Sequence, residues 1–557
     1  MMETDVLRTG GKALVAQLKI HGTERIFCVP GESFLDVLDA LHDEPTIDLV
    51  VSKHEGGAAN MAEADGKLTG KPGICFVTRG PGATHASIGV HIAAQDSTPM
   101  VLFIGQIETG HKGREAFQEV DYVAMFGSIA KWVVEIDDPA RIPEIVSRAF
   151  FIATSGRPGP VVIALPENVL SAMTNVADAR RYISVRSAIS QEDLAAIENK
   201  LSKAERPLVI IGGSGWSASA SQDLADFVDG WNLPVACVFR RQDAFDNRDS
   251  HYVGHMSLGM NPALAQSVRD ADLILAIGTR LGDIATDGYT LLTPPRLKQD
   301  LIHIYPSADE IGRVFQPDIG VAATPAEAAA CLATLRPSSP VAWQGWTSKA
   351  RTAHQKFVAS SEIPPPAIGV DMSKVISYLD SALPENAILT NGAGNYSIWL
   401  HRFYRYRQTK TQLAPTCGAM GYGLPAGIAA KARHPDRTVV VFAGDGCFLM
   451  YPQELATASE FGINIIVVIV NNGMYGTIRM HQEKRFPGRV SGTNIGGPDF
   501  VGLAKSFGAS GERVTSAEDF PAAFERALLA GTPAVIELMT DRRQLTPTLR
   551  VDSIDQG

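Results

Sequence analysis

The fold is decided by two stretches of sequence, Arg437-Thr-Val-Val-Val-Phe-Ala-Gly-Asp-Gly446 and Ile463-Asn-Ile-Ile-Val-Val-Ile-Val-Asn-Asn-Gly473. Each is a run of mainly β-branched residues, typical of a buried strand, that passes directly into a polar tip. Twenty-four residues separate Gly446 from Asn471, which leaves room for one crossover helix and one strand. We therefore predict two neighbouring parallel strands whose polar tips meet at the carboxyl edge of a sheet, where open α/β sheets bind ligands.

Short β-branched runs alternate with helical patterns along the rest of the chain as well. The other predicted strands are Arg25–Pro30, Asp48–Ser52, Gly73–Thr78, Met100–Gly105, Pro160–Pro166, a run that begins at Pro207, Leu233–Phe239, Leu273–Gly278, Leu301–Tyr305 and Ala387–Thr390. The polar stretch Ser171–Ser190 and the Pro-rich segments around 337–340 and 364–366 predict linkers. The predicted fold class is α/β, with three consecutive doubly wound domains of mainly parallel sheets, over residues 1–175, 190–340 and 365–545.

The composition is ordinary for a globular protein of several domains, with 557 residues, 45% hydrophobic and 20% charged. A net charge of −10 and the lack of a Lys/Arg-rich run argue against a nucleic-acid partner. The six cysteines have no paired spacing, which predicts neither a disulfide framework nor a zinc site. The segment Met1–Asp5 is acidic where a signal peptide is basic, and the longest apolar run, Ile463–Val470, is too short to span a bilayer. We therefore expect a cytoplasmic protein without membrane contact.

The two polar tips offer the donors of a magnesium site. Asp445 and Asn472 supply hard oxygen atoms with one formal charge between them, which suits an ion that completes its coordination with phosphate and water. The flanking glycines allow the backbone to approach those phosphates closely. Either tip alone is a common turn, whereas the two together at crossover spacing predict a diphosphate and magnesium site.

Gly444-Asp445-Gly446 followed by Asn471-Asn472 resembles the binding motif of thiamine-diphosphate enzymes. The resemblance implies that Asp445, Asn472 and the backbone carbonyl of Met474 hold magnesium. It further implies that Gly444, Gly446 and Cys447 contact the cofactor diphosphate, while Asn471 fixes the turn. It assigns residues 365–545 to diphosphate and magnesium binding and residues 1–175 to binding of the pyrimidine ring.

Glu55 follows a predicted strand and opens a helix rich in small residues. From the residues alone, Glu55 is interpreted as a structural acid in the first turn of a helix, where the helix dipole favours a negative charge. However, His54-Glu55, about twenty residues after Val29-Pro30-Gly31, resembles the position of the activating glutamate in the acetolactate synthase and pyruvate decarboxylase group. The resemblance implies that Glu55 is catalytic and forms a hydrogen bond with the aminopyrimidine ring of the cofactor.

Two further segments resemble the ring-binding parts of this family. Within Cys417–Pro425, the resemblance implies that Gly418 offers its carbonyl to the cofactor amine and that Met420 is the apolar wedge between the rings; the alternative for Met420 is a core methionine. The loop after Ala387–Thr390 contains Gly394, Asn395 and Tyr396, which match a family loop near the diphosphate.

The similarity to acetolactate synthase large subunits extends over nearly the whole chain. It is carried by Gly80–Thr84, Asp96–Pro99, Ala116–Asp121, Lys131 and Ser155–Pro160. It implies that Gln118 faces the thiazolium side of the pocket; the alternative is a polar residue on a surface turn.

This chain also departs from the synthases. His85 stands where they have Asn, and no Trp follows the Asn-Asn segment. We therefore expect a different substrate pocket, with Gly31, Glu32, His85 and His481 as candidates to line it. Taken singly, each of these polar residues is more often solvated or structural.

The central block contains a loose GxGxxA pattern, Gly213 to Ala218, but the next strand ends in Arg240-Arg241 rather than in the acid that binds an NAD ribose. In acetolactate synthases this domain holds a non-redox FAD, and Gly278–Asp283 resembles one of its contacts. Two alternatives stay open: a central domain that binds FAD, and one that is purely structural.

The sequence thus predicts an enzyme that depends on thiamine diphosphate and Mg²⁺, decarboxylates a pyruvate-like 2-oxo acid and transfers the acyl anion to a second carbonyl. Two alternatives are a simple 2-oxo acid decarboxylase or C–C lyase, and a non-catalytic regulatory relative. The family resemblance implies a homodimer or homotetramer with active sites between subunits. The further alternative, an NAD-dependent oxidoreductase, is supported only by the loose GxGxxA pattern.

Overall fold

The computed structural model describes residues 7–551, so the segment Met1–Asp5, to which the expectation about targeting refers, lies outside the described residues. Three six-stranded parallel sheets flanked by helices confirm the predicted α/β class. By its contacts, the chain forms two compact units. The first unit contains residues up to 185 together with 424–435 and 451–463, and the second contains 186–423, 436–450 and the residues from 464 onward. Among residues 7–551, no helix is both long enough and apolar enough to cross a bilayer.

The first sheet has the strand order β3-β2-β4-β5-β7-β6, and β1 pairs with β8 in a separate antiparallel ribbon. The strands of this part of the chain, including the two of the ribbon, are β1 (Arg8–Thr9), β2 (Arg25–Cys28), β3 (Asp48–Val51), β4 (Gly73–Val77), β5 (Met100–Gln106), β6 (Trp132–Glu135), β7 (Pro160–Pro166) and β8 (Met173–Thr174). The helices are α1 (Gly10–Ile20), α2 (Leu35–His42), α3 (Glu55–Thr69), α4 (Gly80–Asp96), α5 (Tyr122–Phe126), α6 (Ile142–Thr154) and α7 (Glu167–Ser171). Strands β4, β5 and β7 are buried at every position because helices cover both faces of the sheet.

The second sheet has the order β11-β10-β9-β12-β13-β14. Its elements are α8 (Gln191–Leu201), β9 (Pro207–Ile211), α9 (Ala218–Trp231), β10 (Val235–Val238), β11 (Tyr252–Met256), α10 (Pro262–Asp270), β12 (Leu273–Ile277), β13 (Asp300–Tyr305), β14 (Ile319–Ala322), α11 (Pro325–Leu332) and α12 (Gln344–Phe357). Aliphatic and aromatic side chains on both faces of the central strands form its core.

The third sheet has the order β16-β15-β17-β18-β20-β19. The elements of this part of the chain are α13 (Met372–Ala382), β15 (Ile388–Asn391), α14 (Tyr396–Phe403), β16 (Gln412–Leu413), α15 (Gly423–Arg433), β17 (Val439–Gly444), α16 (Asp445–Phe448), α17 (Glu454–Glu460), β18 (Ile466–Asn471), α18 (Gly476–Arg485), α19 (Phe500–Ser506), β19 (Ser510–Val514), α20 (Phe520–Leu529), β20 (Ala534–Met539), β21 (Gln544–Thr546) and β22 (Leu549–Arg550). Strands β21 and β22 pair with each other in a separate antiparallel ribbon. The predicted pairing is present, since β17 and β18 are parallel neighbours with Gly444 opposite Val470. The two polar tips therefore meet at one edge of this sheet.

Candidate cofactor site

Asp445 joins the two polar tips. Its carboxylate is buried; Oδ1 accepts a hydrogen bond from the backbone N–H of Gly446 at 2.8 Å, and Oδ2 accepts one from Gly473 at 2.7 Å. Burial raises the pKa of this carboxyl above its ordinary value, and the backbone N–H groups oppose that rise. The burial of a carboxylate at this edge creates a position where a cation is favoured.

The two asparagines at the end of β18 differ in their surroundings. Asn471 donates from Nδ2 to Glu537 Oε1 at 2.7 Å and accepts at Oδ1 from the N–H of Gly473 at 3.0 Å, so its side chain fixes the turn. Asn472 faces the cavity described below, and its Oδ1 accepts a hydrogen bond from the N–H of Met474 at 3.2 Å. The side chain of Asn471 is therefore engaged in the turn, whereas that of Asn472 lines the cavity.

A cavity of about 250 Å³ opens at these tips. It is lined by all of the cofactor and metal residues predicted in the third block, namely Gly394, Asn395, Tyr396, Gly418, Met420, Gly444, Asp445, Gly446, Cys447, Asn472 and Met474. The oxygen atoms available at its lining include those of carboxylate, amide and backbone carbonyl groups. These are the ligands that Mg²⁺ prefers, so the residues present fit a magnesium diphosphate group.

Sequence reasoning missed other residues that line this cavity, among them Trp399, Tyr475, Thr477, Thr540, Gln544 and Leu545. The position of Thr477 shortly after the Asn-Asn tip was a sequence signal that could have identified it as a lining residue. Its Oγ1 donates a hydrogen bond to Asn395 Oδ1 and accepts one from the N–H of Asn395, both at 3.0 Å. The lining residues between 540 and 545 had no such sequence signal, because they follow β20 without a recognisable motif.

The glycines of the site are places of close approach. A Cβ on Gly446 would lie 2.6 Å from the ring of Tyr475, and one on Gly392 would lie 2.5 Å from Cys447 Sγ. Cys447 Sγ in turn accepts hydrogen bonds from the N–H of Gly421 at 3.2 Å and from the hydroxyl of Tyr396 at 3.3 Å. Burial raises the pKa of the Cys447 thiol, which disfavours the nucleophilic thiolate. Its two hydrogen bonds join α16 to the segments that contain Tyr396 and Gly421.

Glu55 lies in the first unit, at the first position of α3. Its carboxylate shares a hydrogen bond of 2.8 Å with His85 Nδ1, and its side chain is 14% exposed. The His85 ring stacks on the ring of His54 with centroids 4.6 Å apart, and His54 Nδ1 accepts from the N–H of Gly56 at 2.9 Å. Burial, and then the neighbouring His85, lowers the pKa of His54. Thus His85, which the sequence suggested for a substrate pocket, contacts the predicted catalytic carboxylate.

The remaining predicted residues of the first unit gather at the same edge of its sheet. The backbone carbonyl of Gln118, a residue with a φ of 65°, accepts a hydrogen bond from Gly80 at 3.1 Å, at the start of α4. Glu32 Oε1 accepts from Arg79 at 3.3 Å, and a Cβ on Gly31 would lie 2.5 Å from the side chain of Thr78. His481, in the second unit, is exposed on α18 and is not among the described residues that line the cavity.

The central sheet contributes two buried arginines that follow β10. Arg240 donates hydrogen bonds to the backbone carbonyl of Gly392 at 2.9 Å and to that of Pro415. Arg241 is also buried. Where a dinucleotide-binding domain places an acid for the ribose, this chain therefore uses Arg240 to hold loops of the third sheet.

The fold and this site define a class of thiamine-dependent enzyme, and comparison with known proteins agrees. Family models described as the N-terminal TPP binding domain, the central domain and the C-terminal TPP binding domain of thiamine pyrophosphate enzymes match residues 8–125, 194–332 and 392–538. The chain belongs to the thiamine pyrophosphate enzyme family.

Among its relatives are acetolactate synthase large subunits. That of Parasynechococcus marenigrum is 32% identical, over 96% of this chain and 88% of the relative. The probable large subunit of Methanocaldococcus jannaschii is 30% identical, over 97% of this chain and 93% of the relative. The mitochondrial acetolactate synthase of Schizosaccharomyces pombe is 31% identical, over 96% and 84%. The predicted resemblance is confirmed: the chain is a thiamine-dependent enzyme similar to acetolactate synthases.

Proposed function

We propose that this chain is a carboligase that uses thiamine diphosphate and Mg²⁺ to decarboxylate a pyruvate-like 2-oxo acid and to join its acyl group to a second carbonyl compound. The observation that supports this most strongly is the cavity at the tips of β17 and β18. It combines a buried carboxylate, an amide oxygen and closely approached glycines within a chain similar to acetolactate synthases.

In the proposed site, Asp445, Asn472 and the carbonyl of Met474 hold Mg²⁺, and Gly444, Gly446 and Cys447 lie against the diphosphate. The loop of Gly394, Asn395 and Tyr396 closes this end of the cavity, while Gly418 and Met420 bind the rings. Thiamine diphosphate held there would supply a nucleophilic carbon and an electron sink for decarboxylation of the 2-oxo acid.

Glu55 is the proposed acid–base residue. Because His85 occupies its Oε2, the other oxygen, Oε1, is the atom we assign to proton exchange with the aminopyrimidine ring. Gln118 is assigned to the thiazolium side of the pocket. The proposed determinants of the substrate pocket are Gly31, Glu32, His85 and His481. Of these four, His85 has the strongest structural support, because it contacts the carboxylate of Glu55.

We further propose a homodimer or homotetramer with active sites between subunits, located in the cytoplasm. The central domain is proposed to be structural rather than an FAD carrier, because the arginine after β10 is engaged by loops of the third sheet. Protein purified without added flavin should then lack absorbance near 450 nm; stoichiometric release of FAD on denaturation would contradict this assignment.

The proposed reaction is tested by measuring carbon dioxide release from a panel of small 2-oxo acids, with thiamine diphosphate and Mg²⁺ supplied, followed by identification of the products. The proposal expects carboligation products, such as acetolactate or acetoin from pyruvate. Aldehyde as the sole product across the panel would identify a simple decarboxylase instead. A protein that fails to bind the cofactor would be a non-catalytic relative.

A further inference from the structure

Glu454 is a fully buried carboxyl group that the proposed reaction does not use. It begins α17 and belongs to the first unit, as does Glu55. Its Oε1 and Oε2 each lie 3.3 Å from the backbone N–H of Lys53, and Oε2 accepts from the hydroxyl of Thr457 at 2.8 Å. Glu454 therefore binds the backbone of the turn that leads into α3, two residues before Glu55.

The same segment packs against the two glycines that follow Glu55. A Cβ on Gly57 would lie 2.4 Å from Glu454 Oε1, and a Cβ on Gly56 would lie 2.4 Å from the hydroxyl oxygen of Tyr451. The ring of Tyr451 also meets the ring of His54 edge-on, with centroids 5.4 Å apart. Contacts on both sides thus fix the backbone that carries Glu55, and they explain why glycine follows it twice.

Burying an ionisable carboxyl costs free energy unless hydrogen bonds or opposite charges compensate for the lost water. An apolar residue at position 454 would leave the N–H of Lys53 without this acceptor. Burial raises the pKa of Glu454 to about 7, while hydrogen bonds from Thr457 and the backbone and the charge of Lys53 oppose the rise. The other titratable groups that face it are Tyr451, whose pKa burial raises, and His54.

We propose that Glu454 is a positioning residue that holds the Lys53–Gly57 turn so that Glu55 meets the cofactor in a productive orientation. This inference rests on the proposed function, in which Glu55 exchanges a proton with the aminopyrimidine ring. A carboxylate that merely stabilised α3 would contribute to folding and leave the proton exchange unchanged.

The test compares Glu454→Gln with Glu460→Gln. Glu460 is a matched control because it lies on the same helix, is largely exposed and pairs with the side chain of Lys53 rather than with its backbone. The first readout uses the cofactor-free protein. The native state retains the Glu454 proton up to about pH 7, whereas the unfolded chain releases it near the ordinary value of 4.5. The Tm of the parent protein should therefore fall relative to that of Glu454→Gln as the pH rises from 4.5 to 7.

The second readout is the exchange of the C2 proton of bound thiamine diphosphate with deuterium, measured by acid quench and NMR with Mg²⁺ present. We expect Glu454→Gln to slow this exchange about ten- to a hundredfold at unchanged cofactor affinity. Both carboxylate oxygens lie 3.3 Å from the Lys53 nitrogen, so the amide NH₂ in either position opposes that N–H and displaces the turn, and small displacements of a reacting group have effects of this size. The Glu460→Gln protein should stay within about twofold of the parent, as expected for an exposed pair.

The outcomes separate the inference from the proposed function. If the parent protein exchanges the proton no faster than free cofactor does, the proposed function fails. If the parent is fast and Glu454→Gln exchanges as fast as Glu460→Gln, the positioning role is overturned. Should Glu454→Gln not fold, Gly57→Ala provides the same test, because its methyl group displaces the Glu454 carboxyl; normal exchange in that variant would also overturn the role.

Discussion

At the scale of single residues, the carboxylate of Glu55 has a titratable side chain as its hydrogen-bond partner. His85 contributes the 2.8 Å hydrogen bond to its carboxylate. Replacing His85 by Phe removes that bond, and because a hydrogen bond to a charged group contributes about 1.5–3 kcal/mol, kcat should fall roughly ten- to a hundredfold. Steady-state kinetics at saturating cofactor measures the effect.

The control for this prediction is His85→Asn, which places at this position the residue that the resemblance assigns to the synthases. Asn can still offer a hydrogen bond towards Glu55, so it should recover part of the lost kcat. If both the Phe and the Asn variant are as active as the parent protein, the hydrogen bond between His85 and Glu55 has no part in turnover.

Asp445 has two tasks, since it accepts hydrogen bonds from both tips and supplies the only formal charge among the predicted magnesium ligands. We expect Asp445→Ala to weaken cofactor binding at least a hundredfold. Asp445→Asn should be less affected because it retains an oxygen acceptor and loses only the charge. Calorimetric titration with thiamine diphosphate and Mg²⁺ distinguishes them; unchanged affinity in Asp445→Ala would exclude the proposed metal site.

At the scale of elements, the loop after β9 is the most constrained turn of the central sheet. Gly213 has a φ of 73°, and a Cβ there would lie 1.9 Å from the carbonyl oxygen of Gly278. Both the left-handed backbone and the contact oppose a side chain, so Gly213→Ala should lower the free energy of unfolding by about 3 kcal/mol or more. Chemical denaturation measures this change.

A matched substitution tests the cause. Gly345 lies in α12, and a Cβ there would have no neighbour within 4 Å. Gly345→Ala should be neutral or stabilise the protein by up to about 1 kcal/mol, because alanine favours the helix. Comparable destabilisation by both substitutions would contradict the steric explanation.

The elements differ in how far the sequence could predict them. Strands β17 and β18 carry uninterrupted β-branched runs that are buried along their length, so the pattern and the structure agree. Strand β6 was missed because its four residues are only half-buried at the sheet edge and show no distinctive run. The contact of Glu454 with the Glu55 turn joins residues about four hundred positions apart, and no local pattern encodes it.

At the scale of the molecule, a residue that follows a strand of the central sheet holds loops of the proposed cofactor site without lining the cavity. Arg240 holds the carbonyls of Gly392 and Pro415, and these residues neighbour the loops that carry Gly394 and Gly418. Arg240→Met keeps much of the buried volume and removes the donors. We expect it to weaken cofactor binding about tenfold or more, since it leaves the two carbonyls without this partner.

The control is Arg206→Met, a change of the same kind at a side chain that is 46% exposed. Cofactor titration should show parental affinity for this variant. If Arg240→Met also binds the cofactor with parental affinity, the central sheet does not support the site in the way described.

The net charge of the whole chain is compatible with a ligand that is itself an anion. The chain carries a net charge of −10, yet its proposed ligand is a diphosphate. The proposed site needs no basic stripe, because bound Mg²⁺ and backbone N–H groups at the glycine-lined cavity would neutralise the phosphates locally. The proposed metal site was within reach of sequence reasoning because its candidate ligands follow two adjacent strands, whereas the residues proposed for the substrate pocket are scattered over the chain.

The central claim is that this chain activates thiamine diphosphate through Glu55, and the exchange of the cofactor C2 proton with deuterium tests it most directly because no substrate has to be known. With Mg²⁺ present, the parent protein should exchange this proton far faster than free cofactor does. Glu55→Gln should bind the cofactor with similar affinity and exchange about 10² to 10⁴ times more slowly. Equal exchange rates in the parent and in Glu55→Gln would contradict the account.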